Sequence, residues 1–321
     1  AGYYLALVEQ AEPELKGPQQ VMWLDQLEVE HDNIRAALRW ALERGEAEVA
    51  LRLCAAAWWF WYVRSHLSEG RRWLEKALAS RTEVAGSIRA KALNGAGVLA
   101  RNQADYDQAA VLLSESLSLH RKEGNTRGVA DALNNLGTVA LDQGDDAQAA
   151  ALFTESLELR RDQNDRWGVA LALNNVAVAT SREGDYARAA ALCEESLALF
   201  RELKDKRGIA MVLSNLGLAV QGQGDPERAM ALYEESLNLY RQTADRRGVA
   251  YLLSRMGEVA RLQGNDTRAV ELYKESLTLY QESGDRSGVV GCLDGLSGVA
   301  AARGRLEAAA RLVGAAEGLR K

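Results

Sequence analysis

The chain is poor in the residues that most catalytic and secreted proteins depend on. It has three prolines, three cysteines and three histidines in 321 residues. Scarce proline leaves long stretches free of the ring that breaks helices. Cys54, Cys193 and Cys292 are odd in number and far apart, which excludes the paired framework of a small secreted domain. Each takes the place of a small or medium apolar residue and reads as a reduced, buried, cytosolic thiol. His31, His66 and His120 stand isolated, with no second metal ligand at helical spacing, so no metal site is expected. Positive charge is not in excess. A net charge of -6 disfavours nonspecific binding to nucleic acid, which needs basic patches to neutralise phosphates. No apolar run reaches membrane-spanning length, and the first residues do not read as a signal peptide. A glycine-rich phosphate loop ending in Lys-Ser or Lys-Thr is missing, as is a Gly-x-Ser-x-Gly elbow. The expectation is a cytoplasmic, non-enzymatic chain with no catalytic residues, no cofactor, no direct nucleic-acid contact and no membrane attachment.

What is present is a beat of forty residues. Gly128, Gly168, Gly208, Gly248 and Gly288 stand forty apart, as do Ala109, Ala149, Ala189, Ala229, Ala269 and Ala309, and as do Ser116, Ser156, Ser196, Ser236 and Ser276. A fixed period of this size means stacked copies of one supersecondary unit, each burying its apolar face against the next. Abundant alanine and leucine, with few β-branched residues other than valine, make the units helical.

Each copy reads as two helices. In one, Ala130, Leu133, Leu136, Gly137 and Ala140 recur at three- and four-residue spacing and define one face of a first helix, A. Gly144 supplies a left-handed stop and Asp145 caps the next helix; the pair returns as Gly184-Asp185, Gly224-Asp225 and Gly264-Asn265. Helix B carries Ala149, Leu152, Phe153, Ser156 and Leu157, and Asp165, Asp205, Asp245 and Asp285 cap each following helix A. Such a cap contributes about 1 kcal/mol. Gly137 and Ala149 face each other across the pair. Gly128 and its equivalents lie in the first turn of helix A, where the preceding helix B must pass closely.

This spacing resembles the tetratricopeptide repeat. The match rests on Leu136-Gly137, Ala149 twelve residues on, a bulky residue at Phe153, Tyr233 or Tyr273, and a small one at Ser156. The repeat is forty residues rather than thirty-four, and the closing proline is absent. The length and the phrase Leu133-Asn134-Asn135-Leu136 are similar to the kinesin light chain and LGN-type repeats. The resemblance implies an all-α fold, an α-α superhelix of about six full repeats over 87–320. A degenerate repeat precedes it over 47–80, and residues 1–46 form capping or linker helices. Within those, Tyr3 to Glu12 and Gln19 to Glu43 read as helices parted by Gly17-Pro18. The run Trp58-Trp59-Phe60-Trp61-Tyr62 is too long for one inward face, so it either packs under the N-terminal helices or docks a neighbouring domain.

The stretches from Leu24 to Leu38 and from Leu67 to Leu74, with the closing Ala308 to Glu317, resemble bacterial transcriptional regulators of the signal-transduction ATPase class. There the repeats follow nucleotide-binding and winged-helix modules. By that resemblance the chain is a fragment, and its own ATPase and winged-helix domains are partners. In the last repeat the inward positions Gly291, Asp294, Gly295, Gly298, Ala301 and Ala302 are nearly bare of side chains, so another backbone can come close, and a helix following Lys321 is expected to fold onto them.

In the repeat fold helix A lines the concave surface. Its inward positions are Lys91, Asn94 and Arg101 in the first full repeat, Asn134, Asn135 and Thr138 in the second, and Leu171, Asn174, Asn175 and Val178 in the third. Met211, Asn215 and Leu218 follow in the fourth, and Tyr251, Arg255 and Arg261 in the fifth. Carboxamides carry both donor and acceptor, so the asparagines either hold a peptide backbone or tether neighbouring helices. With apolar residues in the middle and cations towards the ends, the groove suits a protein or peptide segment with an apolar stripe and acidic residues. The function implied is a protein-binding sensor or docking region of a larger bacterial signalling regulator; the alternative is a stand-alone scaffold bridging two proteins. The groove reading predicts that Asn134→Ala with Asn174→Ala weakens partner binding with little change in melting. Gly137→Leu, which overpacks the helix pair, should cost ~1–3 kcal/mol or more in urea unfolding.

Overall fold

The computed structural model describes residues 1–80 and 84–320, and seventeen helices with no strand occur among them. They run α1 (Gly2–Glu14), α2 (Gln20–Val29), α3 (His31–Glu43), α4 (Ala47–Val63), α5 (Leu67–Leu78), α6 (Gly86–Asn102), α7 (Tyr106–Lys122), α8 (Thr126–Gln143) and α9 (Asp146–Asp162). There follow α10 (Arg166–Arg182), α11 (Tyr186–Glu202), α12 (Lys206–Gly222), α13 (Pro226–Gln242), α14 (Arg246–Leu262), α15 (Asp266–Ser283), α16 (Arg286–Ala302) and α17 (Leu306–Arg320). From α4 onwards even-numbered helices are A and odd-numbered ones B. The architecture is an all-α repeat of the α-α superhelix class. Two compact units, Ala1–Gly208 and Ile209–Lys321, are distinguished, with the boundary inside α12. Lys321, where the last helix was expected to continue, lies outside the described residues.

The glycines of the beat are explained by side chains from helix B. A Cβ at Gly248 would stand 2.5 Å from the Tyr240 ring, and Gly128, Gly168, Gly208 and Gly288 lie equally tightly under His120, Arg160, Phe200 and Tyr280. Within each pair, a Cβ at Gly137 would stand 2.6 Å from Phe153, and one at Gly217 would stand 2.5 Å from Tyr233. What passes close is therefore a large side chain lying flat across helix A, not the backbone of helix B. Arg160 takes the aromatic position in one repeat with 1% exposure. It is held by Asp165 (2.8 Å), Asp131 (2.5 Å) and Ser156 Oγ (3.3 Å), which satisfies a charge that burial would otherwise penalise.

The repeating serines are more than small. Ser116, Ser156, Ser196 and Ser276 are fully buried, and each Oγ donates to the carbonyl of Ala90, Ala130, Ala170 or Ala250 at 2.7–2.8 Å. Each bond pins helix B to the helix A of its own repeat. The caps act as expected: Asp145, Asp165, Asp245 and Asp285 accept from backbone N–H groups three residues on, at 2.9–3.1 Å. On the outer face, Arg121–Glu155 and Arg161–Glu195 join successive B helices in the first unit, and Arg241–Glu275 does so in the second. These pairs are solvent-exposed and contribute little.

The N-terminal segment departs from expectation in one respect. The single helix from Gln19 to Glu43 is broken at Glu30, whose φ of −90° and ψ of 6° leave helical geometry. Helix α2 packs on α1, whereas α3 packs mainly on α4, with smaller contacts to α1 and α5. Leu5, Val8 and Ala11 of α1, Leu24 and Leu27 of α2, and Ile34 and Leu38 of α3 share one core with α4, α5 and α6. Phe60 and Trp61 are fully buried in it, and Trp58 fills the space over Gly95.

Left-handed residues end the B helices on the same beat: Gly124 (φ 66°), Asn164 (54°), Lys204 (54°), Ala244 (50°) and Gly284 (70°). For L-residues this conformation costs ~1–2 kcal/mol. Replacing Ala244 by glycine, as at Gly124 and Gly284, should therefore raise the free energy of unfolding by about 0.5–1 kcal/mol, read as a shift in urea midpoint with an unchanged slope.

Candidate functional site: the inner face of the A helices

The inner-face asparagines are turned on one another. Asn135 Nδ2 donates to Asn94 Oδ1 at 2.9 Å, tying α8 to α6, and Asn175 Nδ2 donates to Asn134 Oδ1 at 2.8 Å, tying α10 to α8. Asn174 donates to Asn175 at 3.1 Å. Asn94, Asn134, Asn174 and Asn175 are buried. Of the two alternatives left by the residue pattern, the structure displays the tether: the second asparagine of each pair reaches the first asparagine of the preceding helix A. Thr138 Oγ1 is spent on the carbonyl of Asn135 at 2.7 Å, and Arg101 is paired with Asp142 at 2.7 Å. Leu171 and Val178 are half-buried.

The same face in the first unit carries a stretch of the chain's own N-terminus. Glu12 receives Lys91 Nζ at 2.5 Å. Lys16 places its ammonium 4.1 Å from the centre of the Trp167 ring and 5.2 Å from that of Trp59. Burial pushes the Lys16 pKa down, against the pull of Asp131. Gln20 Nε2 donates to Asp205 Oδ1 at 2.7 Å. Asp205 itself is buried, caps α12 through Gly208 N at 2.9 Å and accepts Trp167 Nε1 at 2.7 Å. Arg207 lies over Trp59 and Tyr62, 5.1 and 5.0 Å from their ring centres. Residues 12–20 thus run across α6, α8, α10 and the start of α12. The partly exposed side of the tryptophan run, Trp59 and Tyr62, is covered by cations of this chain.

The second unit presents this register differently. Lys91, Asp131, Leu171, Met211 and Tyr251 stand forty apart and occupy one position of helix A. In the first unit Lys91 and Asp131 face the N-terminal stretch. In the second, Tyr251 remains 36% exposed, with Arg255 stacked 5.5 Å over its ring and paired with Glu258 at 3.0 Å. Met211, Asn215, Leu218 and Arg261 are partly exposed beside it in the same register frame. On α16, Gly291 is open, but Gly295 is already filled by the Tyr273 ring and Gly298 has Arg261 Cδ at 3.6 Å. The bare patch expected there is reduced to Gly291.

The residue pattern missed Lys16, Gln20, Trp59 and Trp167 as a cluster. A signal existed: Trp167 stands where Arg127, Arg207 and Arg247 stand in other repeats. The residue pattern also left the histidines isolated. The structure brings His31 and His66 together, with ring centres 4.4 Å apart, although they belong to α3 and the turn before α5.

Stacked two-helix repeats, stapled by serines and lined inside by a tethered asparagine ladder, define a helical-repeat protein. The particular family follows from comparison. Tetratricopeptide-repeat family profiles match residues 88–162 and 168–242, with a further match over 252–287. The chain belongs to the tetratricopeptide repeat family. Proteins of Mycobacterium tuberculosis and Mycobacterium bovis that carry the provisional name HTH-type transcriptional regulator are 39% identical over 70 residues. That match covers 21% of this chain and 8% of theirs, so it spans a small part of those relatives. Among solved structures, the Rap conjugation gene regulator of plasmid pLS20 in complex with the Phr* peptide superposes with a TM-score of 0.72. It is 14% identical over 99% of this chain and 95% of that one. A Rap protein complexed with competence and sporulation factor gives 0.71 at 13% identity, over 93% and 79%. At these identities the likeness is one of fold.

The ladder makes the asparagines a stability element. Asn134→Ala and Asn175→Ala should each lower stability by about 1 kcal/mol, and a double-mutant cycle in urea should show coupling of about 0.5–1.5 kcal/mol. Strict additivity would mean that the two amides do not meet. This reverses the expectation that changes at the ladder leave melting untouched.

Proposed function

We propose that the chain is a non-catalytic docking module that takes a short segment of a partner protein on the inner face of its second unit, through Met211, Leu218, Tyr251, Arg255 and Arg261. The observation that carries this is the shared register. In the first unit this face holds the end of α1 and the turn leading into α2, residues 12–20, by ion pairing at Lys91 and by cation–aromatic and carboxylate contacts around Lys16 and Gln20. The equivalent position in the second unit leaves Tyr251 exposed beside Arg255. The chemistry selects a segment with an apolar side chain for Tyr251 and Leu218 and carboxylates for Arg255 and Arg261. The Rap regulator solved with the Phr* peptide supports a peptide occupant by analogy of fold.

In this reading the module belongs to a larger bacterial regulator, in keeping with the stretch shared with the mycobacterial HTH-type proteins. The ligand acts by preferring one arrangement of the regulator's domains over another. The test is a display selection from a random peptide library on the purified chain, followed by fluorescence polarisation with the enriched peptides. Peptides carrying apolar and acidic residues should be enriched. Tyr251→Ala with Arg261→Glu should weaken them at least tenfold, about 1.4 kcal/mol, with unchanged circular dichroism. No enrichment, or retention of binding by the double variant, would overturn the assignment.

A further inference from the structure

Glu28, His31 and His66 come from three separate elements: the last turn of α2, the first residue of α3, and the residue preceding α5. Their ligating atoms all lie within 4.8 Å of one another. His66 Nε2 stands 3.1 Å from Glu28 Oε1. His31 is buried, and its Nε2 has no hydrogen-bond partner among the described residues, although it points to within 3.5 Å of Glu69 Oε1. A buried polar nitrogen without a partner costs ~1–3 kcal/mol. The His66 ring centre lies 4.4 Å from that of His31.

The surroundings suit a cation. Phe60 packs edge-on against His31, 5.1 Å between ring centres, and forms an apolar floor. Glu69 is held by Arg35 and by Trp73 Nε1 (3.1 Å). Its Oε1 lies 3.5 Å from His31 Nε2. Arg64 approaches Glu28 at 3.9 Å while its guanidinium is engaged with Asp25, so Glu28 keeps oxygen lone pairs for another ligand.

We propose that Glu28, His31 and His66 form a binding site for a divalent transition-metal ion of the zinc class, with water completing the coordination. Two neutral imidazoles and one carboxylate are the donor types zinc prefers, and a tetrahedral site at metal–ligand lengths of about 2.0–2.2 Å needs ligand atoms roughly 3.4 Å apart. The His66–Glu28 pair, at 3.1 Å, is close to that separation, and His31, whose ligating atom lies within 4.8 Å of the other two, is brought in by a side-chain adjustment. The ion would staple α2 and α3 to the turn before α5, so it would act on the N-terminal segment whose continuation, residues 12–20, crosses the inner face. The site is independent of the peptide reading above.

The experiment is a competition titration of untagged, chelator-stripped protein with Zn²⁺ against a chromophoric chelator, paired with Co²⁺ absorption. The expected result is one equivalent bound, an intense visible band from four-coordinate Co²⁺, and a melting temperature raised by Zn²⁺. His66→Asn and Glu28→Gln change half-exposed groups and should each weaken binding at least tenfold. His120→Phe, which places at one repeat the residue found at Phe200, should leave it unchanged. No bound equivalent would overturn the site, and so would binding unaffected by His66→Asn or lost equally in His120→Phe.

Discussion

The structure depends on one contact made repeatedly: a large side chain of helix B lying flat on a glycine of helix A. Two helices carrying ordinary side chains pack with axes about 8–10 Å apart. Glycine at Gly128, Gly168, Gly208, Gly248 and Gly288 gives His120, Arg160, Phe200, Tyr240 and Tyr280 a flat surface, and Gly137 and Gly217 do the same for Phe153 and Tyr233. The close fit brings the serine hydroxyls within bonding range of carbonyls on helix A. The serine bond in turn fixes the rotation of each pair. Glycine in a helix is unfavourable by about 1 kcal/mol, and here the packed ring offsets that cost.

The inner face follows from this packing. With A helices held in regular succession, positions forty apart come into register. The asparagines at Asn94, Asn134, Asn135 and Asn175 then meet across helices and cross-link the scaffold. The same register places Lys91 and Asp131, with Trp167 one turn before the equivalent of Asp131, where the N-terminal stretch lies across them. A surface that holds its own chain by an ion pair, a cation over a tryptophan and a buried carboxylate has the chemistry to hold another chain. The second unit keeps Tyr251 exposed at that register, with Arg255 stacked on its ring.

How much was legible can be traced residue by residue. The caps at Asp145 and Asp165 and the stops at Gly144 and Gly184 were readable because they are local, set by three or four neighbouring residues. The left-handed turns at Lys204 and Ala244 were not, since neither residue favours that conformation and only the packed helices around it impose it. The buried hydrogen bonds of Ser156 and its equivalents were concealed too. Their small size was plain from the repeat, but their acceptors lie twenty-six residues away. The break at Glu30 was not legible either, because it lets α3 turn onto α4 and α5 while α2 stays on α1, a matter of tertiary packing.

The amino-acid sequence by itself determined the all-α repeat, its period and the residues that keep it, because a periodic scaffold is written in nearest-neighbour terms. Tertiary structure alone decided which polar residues are spent and which are open. Asn134 and Asn175 are consumed by each other, Lys16 is drawn from the N-terminus onto Trp167, and His31 meets His66 across thirty-five positions. Each of those pairings joins residues outside the reach of helical periodicity, so only the packing of whole helices could bring them together.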